Sequence, residues 1–285
     1  MSDLNDAKEK LKKRKAMLEK RVKREVNIMP RGGVFPKNIE RKYSKDLLRL
    51  MAGLAKNVRE TFFESGMLSR VLSRAKQELN VRQDTFDEDI EDLLRTLNLK
   101  VIGDLPDSAI ERIAERHGLD VSQKSATIIK SQYKSVTGVD IFFNEPWLRP
   151  KLKTFTSSNV RLIKGIRDEA LKNLEGVIFR GVSRGQSLAD IQKDVQKTLG
   201  VTKRRAKLIA RDQTASLNGE LTKLRQQEVG VTRYRWQTAR DERVRDEHVD
   251  NSGQFFEWSD PPSTGHPGED INCRCIAIPV FSSIK

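Results

Sequence analysis

Apolar residues in this chain recur three to four positions apart over long stretches, a period that fits helices and excludes a β fold for most of the length. The clearest run is Leu47, Leu48, Leu50, Met51, Leu54, Val58 and Phe62, which predicts a core-facing helix from about Asp46 that ends at Gly66. Leu68, Val71, Leu72, Ala75 and Leu79 keep the period and predict a second helix antiparallel to the first. The acidic run at 84–92 precedes Leu93, Leu94 and Leu97 and reads as a solvated helix start, because carboxylates there suit the helix dipole. A short helix is predicted from Asp107 to Arg116, closed by His117 and Gly118, then another capped by Ser122 and ended by Gly138. The proline-broken stretch 139–150 reads as a packed connection that buries Trp147.

In the second half, Ser157, Ser158 and Asn159 are placed to cap a helix whose stripe is Leu162, Ile163, Ile166, Ala170, Leu174, Val177 and Ile178. Ser187 and Asp190 approximate a capping box for a helix that uses Leu188, Ile191, Val195 and Leu199 and stops at Gly200. Thr202 would cap the next helix, which runs to about Gln227, on the order of 40 Å, before Gly230 ends it. Residues 232–238 alternate polar side chains with Tyr234 and Trp236, the pattern of a strand with one buried face. The Asn251-Ser252-Gly253 turn then leads to a second strand at 254–258, a hairpin-like β unit. The expected fold is mainly α: an elongated helical protein with a small C-terminal β-hairpin/loop element that zinc could staple. In linear order it divides into a basic arm and linker at 1–45, a helical middle region at 46–150 and a C-terminal domain at 151–285 with helices across 159–229.

Composition sharpens this picture. Hydrophobic residues make up 36% and charged residues 33%, against the usual 45–50% and about 25%, so much of each helix must face solvent. A formal charge of +14 and a pI near 9.8 call for an anionic partner, nucleic acid ahead of a membrane surface. The first 45 residues carry 15 Lys/Arg against 6 Asp/Glu, and Pro30, Gly32, Gly33 and Pro36 then read as a linker. Lys12, Lys13, Arg14 and Lys15 in the arm, and Lys203, Arg204, Arg205 and Arg211 near a helix start, are the candidate phosphate contacts. Cations at a helix start oppose its dipole unless anions lie nearby; a plain wet face is the competing reading. No run of about 18 apolar residues exists, so no membrane span is expected, and the N-terminus lacks a signal peptide's apolar stretch. Two cysteines one residue apart make a poor disulfide framework and fit synthesis in a reducing cytoplasm.

Both of those cysteines, Cys273 and Cys275, and two of the three histidines, His248 and His266, fall in one 28-residue window. Thiolate and imidazole are the ligands that Zn2+ prefers, so these four are the candidate metal set. The spacing is unusual: Cys-x-Cys is tighter than the common two-to-four residue gap, and 17 residues separate the histidines. The alternatives are cysteines packed as small apolar groups, histidines bonded within the local fold, and ion pairs among residues 241–247 that tie down the loop. A catalytic reading assigns Asp241, His248 and His266 to a metal-dependent nuclease. Against it, the chain has no catalytic signature of recognised spacing, no phosphate-binding glycine loop and no nucleophile elbow.

The segments FTSSNVRLIKGI (155–166), GQSLADIQKDVQKTLGVTKRRAKLIARDQTASLNGEL (185–221), YRWQTARDERVRDEHVDNSGQFF (234–256) and HPGEDINCRC (266–275) together resemble the Mu F-like phage head morphogenesis family. The resemblance covers about residues 155–280 and places the family's motif residues on Arg211, Asp212, Gln213, Thr214, Trp236, Thr238, Asp241, Arg243, Val244, Arg245, His248, Cys273, Arg274 and Cys275. It implies a minor capsid protein of a tailed phage, encoded with the portal and present in a few internal copies bound to the portal protein. It further implies roles in head assembly and DNA exit, contact with double-stranded DNA without sequence preference, and contact with capsid or scaffolding protein. The implied location is the capsid interior at the portal vertex, with the host cytoplasm during assembly, and the implied work is architectural rather than enzymatic.

Overall fold

A computed structural model of the chain describes residues 29–30, 32–77, 84–239 and 243–281. Lys12, Lys13, Arg14, Lys15 and Asp241 lie outside the described residues. Among the described residues, six long helices come first: α1 (Lys37–Val58), continued by a π-helical turn at Arg59–Glu64, then α2 (Met67–Gln77), α3 (Asp84–Asp104), α4 (Asp107–Thr137), α5 (Leu148–Ser183) and α6 (Leu188–Glu228). The chain then forms β1 (Arg233–Gln237), a short helix α7 (Asp246–Asp250), β2 (Phe255–Glu257) and β3 (Ile276–Val280). The expected mainly α fold with a small C-terminal β element is what the chain adopts. No described helix is long and apolar enough to cross a membrane.

Packing divides the chain into two compact units, neither of them contiguous in sequence. Of the described residues, one unit comprises those in 36–122 and 145–217; the other comprises those in 123–144, those from 218 onward and those up to 35. Helices α4 and α6 each contribute to both, so the units do not follow the linear order of arm, middle and C-terminal regions.

The first unit is all helix. Leu47, Leu54, Phe62, Leu68, Leu93, Leu97, Ile163, Leu174 and Ile178 are fully buried together, the stripes that the 3.6-residue period marks. The sequence predicts α1 and α2 as partners; in the structure α3 lies against both, and also against α5. Helix α1 starts at Lys37 rather than near Asp46, with the Pro36 carbonyl accepting from the N–H groups of Ile39 and Glu40 and with Tyr43 buried in its second turn.

Several expected helix ends are overturned, all for one reason. Helix α4 runs straight through His117 and Gly118; a Cβ on Gly118 would sit 3.1 Å from the Phe155 ring, so this glycine permits close packing and is not a terminator. Helix α5 starts at Leu148, so Ser157, Ser158 and Asn159 are interior positions and not caps. Helix α6 passes through Gly200, and the Thr202 hydroxyl donates to the Thr198 carbonyl one turn back instead of capping a new helix. A glycine inside a helix costs only about 1 kcal/mol, less than the burial of Ile191, Val195, Ala206 and Ile209 along the same continuous stripe returns. Trp147 is part-exposed at the start of α5 and not buried. The ends at Gly66, Gly138 and Gly230 agree with expectation, each glycine in the left-handed region at φ 71, 75 and 78. Ser187 also behaves as predicted: its Oγ accepts from the Asp190 N–H at 3.2 Å and donates to the Asp190 carboxylate at 2.6 Å.

The second unit holds an antiparallel sheet of order β2-β1-β3. Tyr234 sits opposite Phe256 and Pro279, and Trp236 opposite Ala277, so the alternation read in β1 places both aromatics on the buried face. The β1–β2 pairing is the expected hairpin. Strand β3 has no counterpart in the sequence reading; it lies at the sheet edge, where its Pro279 is tolerated.

Candidate metal centre

Three short pieces of chain converge beneath this sheet. Helix α7 carries His248 on its buried side, the loop 265–272 turns back on itself, and Cys273 and Cys275 lead into β3. The loop needs unusual backbone: Gly265 and Gly268 have φ of 72 and 95, and Asn272, directly before Cys273, has φ of 59. Arg245, at the start of α7, ion-pairs with Asp270 and donates to the Ile271 carbonyl at 2.9 Å, which fastens the loop to the helix. A Cβ on Gly219 of α6 would lie 2.4 Å from the Pro267 carbonyl oxygen, so α6 has no side chain where the loop crosses it.

The result is a compact donor set. His248, Cys273 and Cys275 are all buried, and one ligand atom from each lies within 4.8 Å of the others. His248 Nδ1 is 3.6 Å from Cys273 Sγ and 3.5 Å from Cys275 Sγ. Both cysteines are free thiols, and the Gly268 N–H donates to Cys273 Sγ at 3.4 Å. The hydrogen bond with Cys275 holds the Cys273 thiol down at about 6; burial opposes this, while the Gly268 and Cys275 N–H groups and His248 add to it. The same bond, then burial and the adjacent Cys273 charge, push Cys275 far up. The two thiols are thus driven in opposite directions, Cys273 toward the thiolate and Cys275 toward the thiol.

On its far side His248 Nε2 is 3.2 Å from Asp270 Oδ2, close enough for charge attraction although the approach misses hydrogen-bond geometry and leaves Nε2 without a hydrogen-bond partner. A carboxylate there favours the proton on Nε2 and leaves the Nδ1 lone pair facing the sulfurs. The Trp236 ring meets the imidazole edge-on, 5.3 Å between centroids, and Tyr234, Trp258 and Ala277 complete the small core around the thiols.

His266 does not join this group. Its Nδ1 and the Tyr234 hydroxyl share a hydrogen bond of 2.9 Å, and its ring packs on Trp258 with centroids 4.9 Å apart. Burial, then Lys223, hold its pKa below the ordinary histidine value, and the Trp258 backbone provides a further hydrogen bond. Burial likewise keeps the Tyr234 hydroxyl protonated. Of the four predicted ligands, then, the structure gathers three and gives the fourth a local hydrogen-bonding role. Asp270 and Gln226 are the residues the sequence reading missed. Gln226 is buried in α6, donates to the Ala277 carbonyl at 3.0 Å and accepts from Trp258 Nε1 at 3.2 Å.

The remaining predicted residues fall elsewhere. Arg243 is exposed in the turn before α7, and Arg274 is half-buried between the two cysteines. In the helical unit, Gln213 accepts from Asn159 Nδ2 at 3.0 Å and Thr214 Oγ1 lies 3.2 Å from His117 Nε2, while Asn159 Oδ1 accepts from the Tyr43 hydroxyl at 2.7 Å. The element 211–214 thus anchors a buried polar network. Lys203, Arg204 and Lys207 are exposed on α6, whereas Arg205 is ion-paired with Glu169 and Arg211 Nε lies 3.6 Å from Glu40.

Fold and site together define a helical protein whose C-terminal β element encloses a thiol and imidazole cluster. Residues 172–278 match the family described as Phage Mu protein F like protein. A Haemophilus influenzae protein, described only as uncharacterized, is 38% identical over 159 residues, which is 54% of this chain and 36% of the relative. The match therefore spans about a third of that relative's length. No solved structure matches the chain.

Proposed function

We propose that the protein is a minor head protein of a tailed phage, held inside the capsid at the portal, where it contacts double-stranded DNA through phosphates and supports head assembly and DNA packaging and ejection. The observation that carries this reading is the Mu F-like match over 172–278, the segment that includes α6 and every residue of the thiol and imidazole cluster. The charge of +14 supports it, as do Lys203, Arg204 and Lys207 exposed on one stretch of α6. Contacts of this kind neutralise phosphates without reading bases.

A gel-retardation series with random-sequence duplex DNA tests the DNA contact. Affinity should fall steeply between low and physiological salt, and the K203A/R204A/K207A variant should bind more weakly, with a salt slope reduced by up to about 3. Affinity that stays flat with salt sinks the proposal. The portal contact is tested by cosedimentation of the full chain with assembled portal rings.

The separate engagement of His248 and His266 supports an architectural role over a nuclease one, since a shared cation needs both at one point. Plasmid incubated with the protein and Mg2+, Mn2+ or Zn2+ should stay intact. Cleavage abolished by His248→Ala would reverse that assignment.

A further inference from the structure

Nothing in a head-assembly role requires two buried thiols to converge on an imidazole nitrogen. An apolar core would be served as well by alanine or valine at these positions, and thiols packed only as apolar groups have no need of a backbone N–H directed at sulfur. Here the Gly268 N–H is directed at Cys273, and the loop that directs it depends on left-handed backbone at Gly268 and Asn272. The imidazole nitrogen facing the sulfurs is Nδ1, and Asp270 stands on the opposite side, 3.2 Å from Nε2.

We propose that His248 Nδ1, Cys273 Sγ and Cys275 Sγ are the ligands of a Zn2+ site, with Asp270 as the positioning residue of His248. Two thiolates and one imidazole are a donor set that zinc takes in preference to the harder magnesium and calcium. The fourth coordination position is filled by a ligand outside this trio. Loading requires both sulfurs as thiolates: whatever protons they carry pass to solvent, and the metal carries the charge that burial otherwise penalises. His266 takes no part, because Tyr234 already occupies its Nδ1. Arg245 belongs to the same device, since its pairing with Asp270 fixes the carboxylate that aims the histidine.

This inference does not rest on the proposed function and can fail without it. The test uses the full chain, purified in a thiol-free reductant, stripped with a chelator and titrated with Zn2+ and, separately, Co2+. The expected result is one equivalent of Zn2+ and a cobalt spectrum with thiolate-to-metal charge-transfer bands of a four-coordinate site. H266Q should bind one equivalent as the parent does, C273S, C275S and H248Q should not, and D270N should bind about 10–100-fold more weakly. Because the cysteine variants can misfold, the unmodified protein gives an independent readout: Zn2+ should raise its melting temperature and the chelator should reverse the rise. Absence of the charge-transfer bands, a melting temperature indifferent to Zn2+, or loss of metal from H266Q equal to that from C273S would each overturn the assignment.

Discussion

A histidine pressed flat against a tyrosine ring, out of reach of water, holds a proton only at a cost. His117 stacks on Tyr43 with centroids 3.8 Å apart and planes 7° from parallel, and burial lowers its pKa to about 3. Asp120 pulls that value up and Lys42 pushes it down, and neither offsets burial. In the unfolded chain the same imidazole titrates near 6.5. Between that pH and about 3 the unfolded state binds a proton that the folded state refuses, so stability falls as pH falls, by ~1.4 kcal/mol per unit for this one group. Denaturant midpoints measured from pH 7.5 to 5 should therefore drop, and H117Q should show a shallower slope over the same window. Equal slopes would mean that His117 does not set the dependence.

At the scale of elements, the second unit depends on a single glutamine. Gln226 joins α6 to β3 through the Ala277 carbonyl and to the residue after β2 through the Trp258 indole. Gln226→Ala strands a buried acceptor and a buried donor, at ~1–3 kcal/mol each. The expected outcome is a loss of several degrees in melting temperature with the far-UV helical signal retained; an unchanged melt would deny the bridge its role. The sequence carried no sign of this residue, because one polar side chain on an apolar stripe looks like a face boundary. Where a signal repeats, it was legible: the alternation in β1, the stripes of α1 and α5 and the Ser187 cap all read correctly. Where the sequence offers a lone residue as punctuation, as at Gly118, Gly200 and Asn159, packing over the whole helix outweighs the local preference. The cluster followed the same rule. Residue type identified the cysteines and one histidine, but choosing between His266 and Asp270 required the fold, since only the loop's turn shows which side chain faces His248.

For the molecule as a whole, the Mu F-like segment is not a structural unit. Its residues 172–217 belong to the helical unit and 218–278 to the other. Leu174, Ile178, Val182, Ile191 and Val195 are buried in a core that also draws on α1, α2 and α3. A fragment of residues 172–285 would present that stripe to solvent. It is expected to keep helical content yet lack a cooperative denaturant transition, and a sharp two-state transition would show that the matched segment folds alone.

The order in which the pieces are made has its own consequence. Gly33 abuts Ile276 and Ile278 so closely that a Cβ would lie 2.9 Å from the first, and its carbonyl accepts from Gln237, which is 204 residues further on. At the usual ~5–20 residues per second of translation, Gly33 waits roughly 10–50 s for the Ile276 and Ile278 side chains that pack on it. The contacts that pin Gly33 therefore form only after all the helices between it and the sheet have been made.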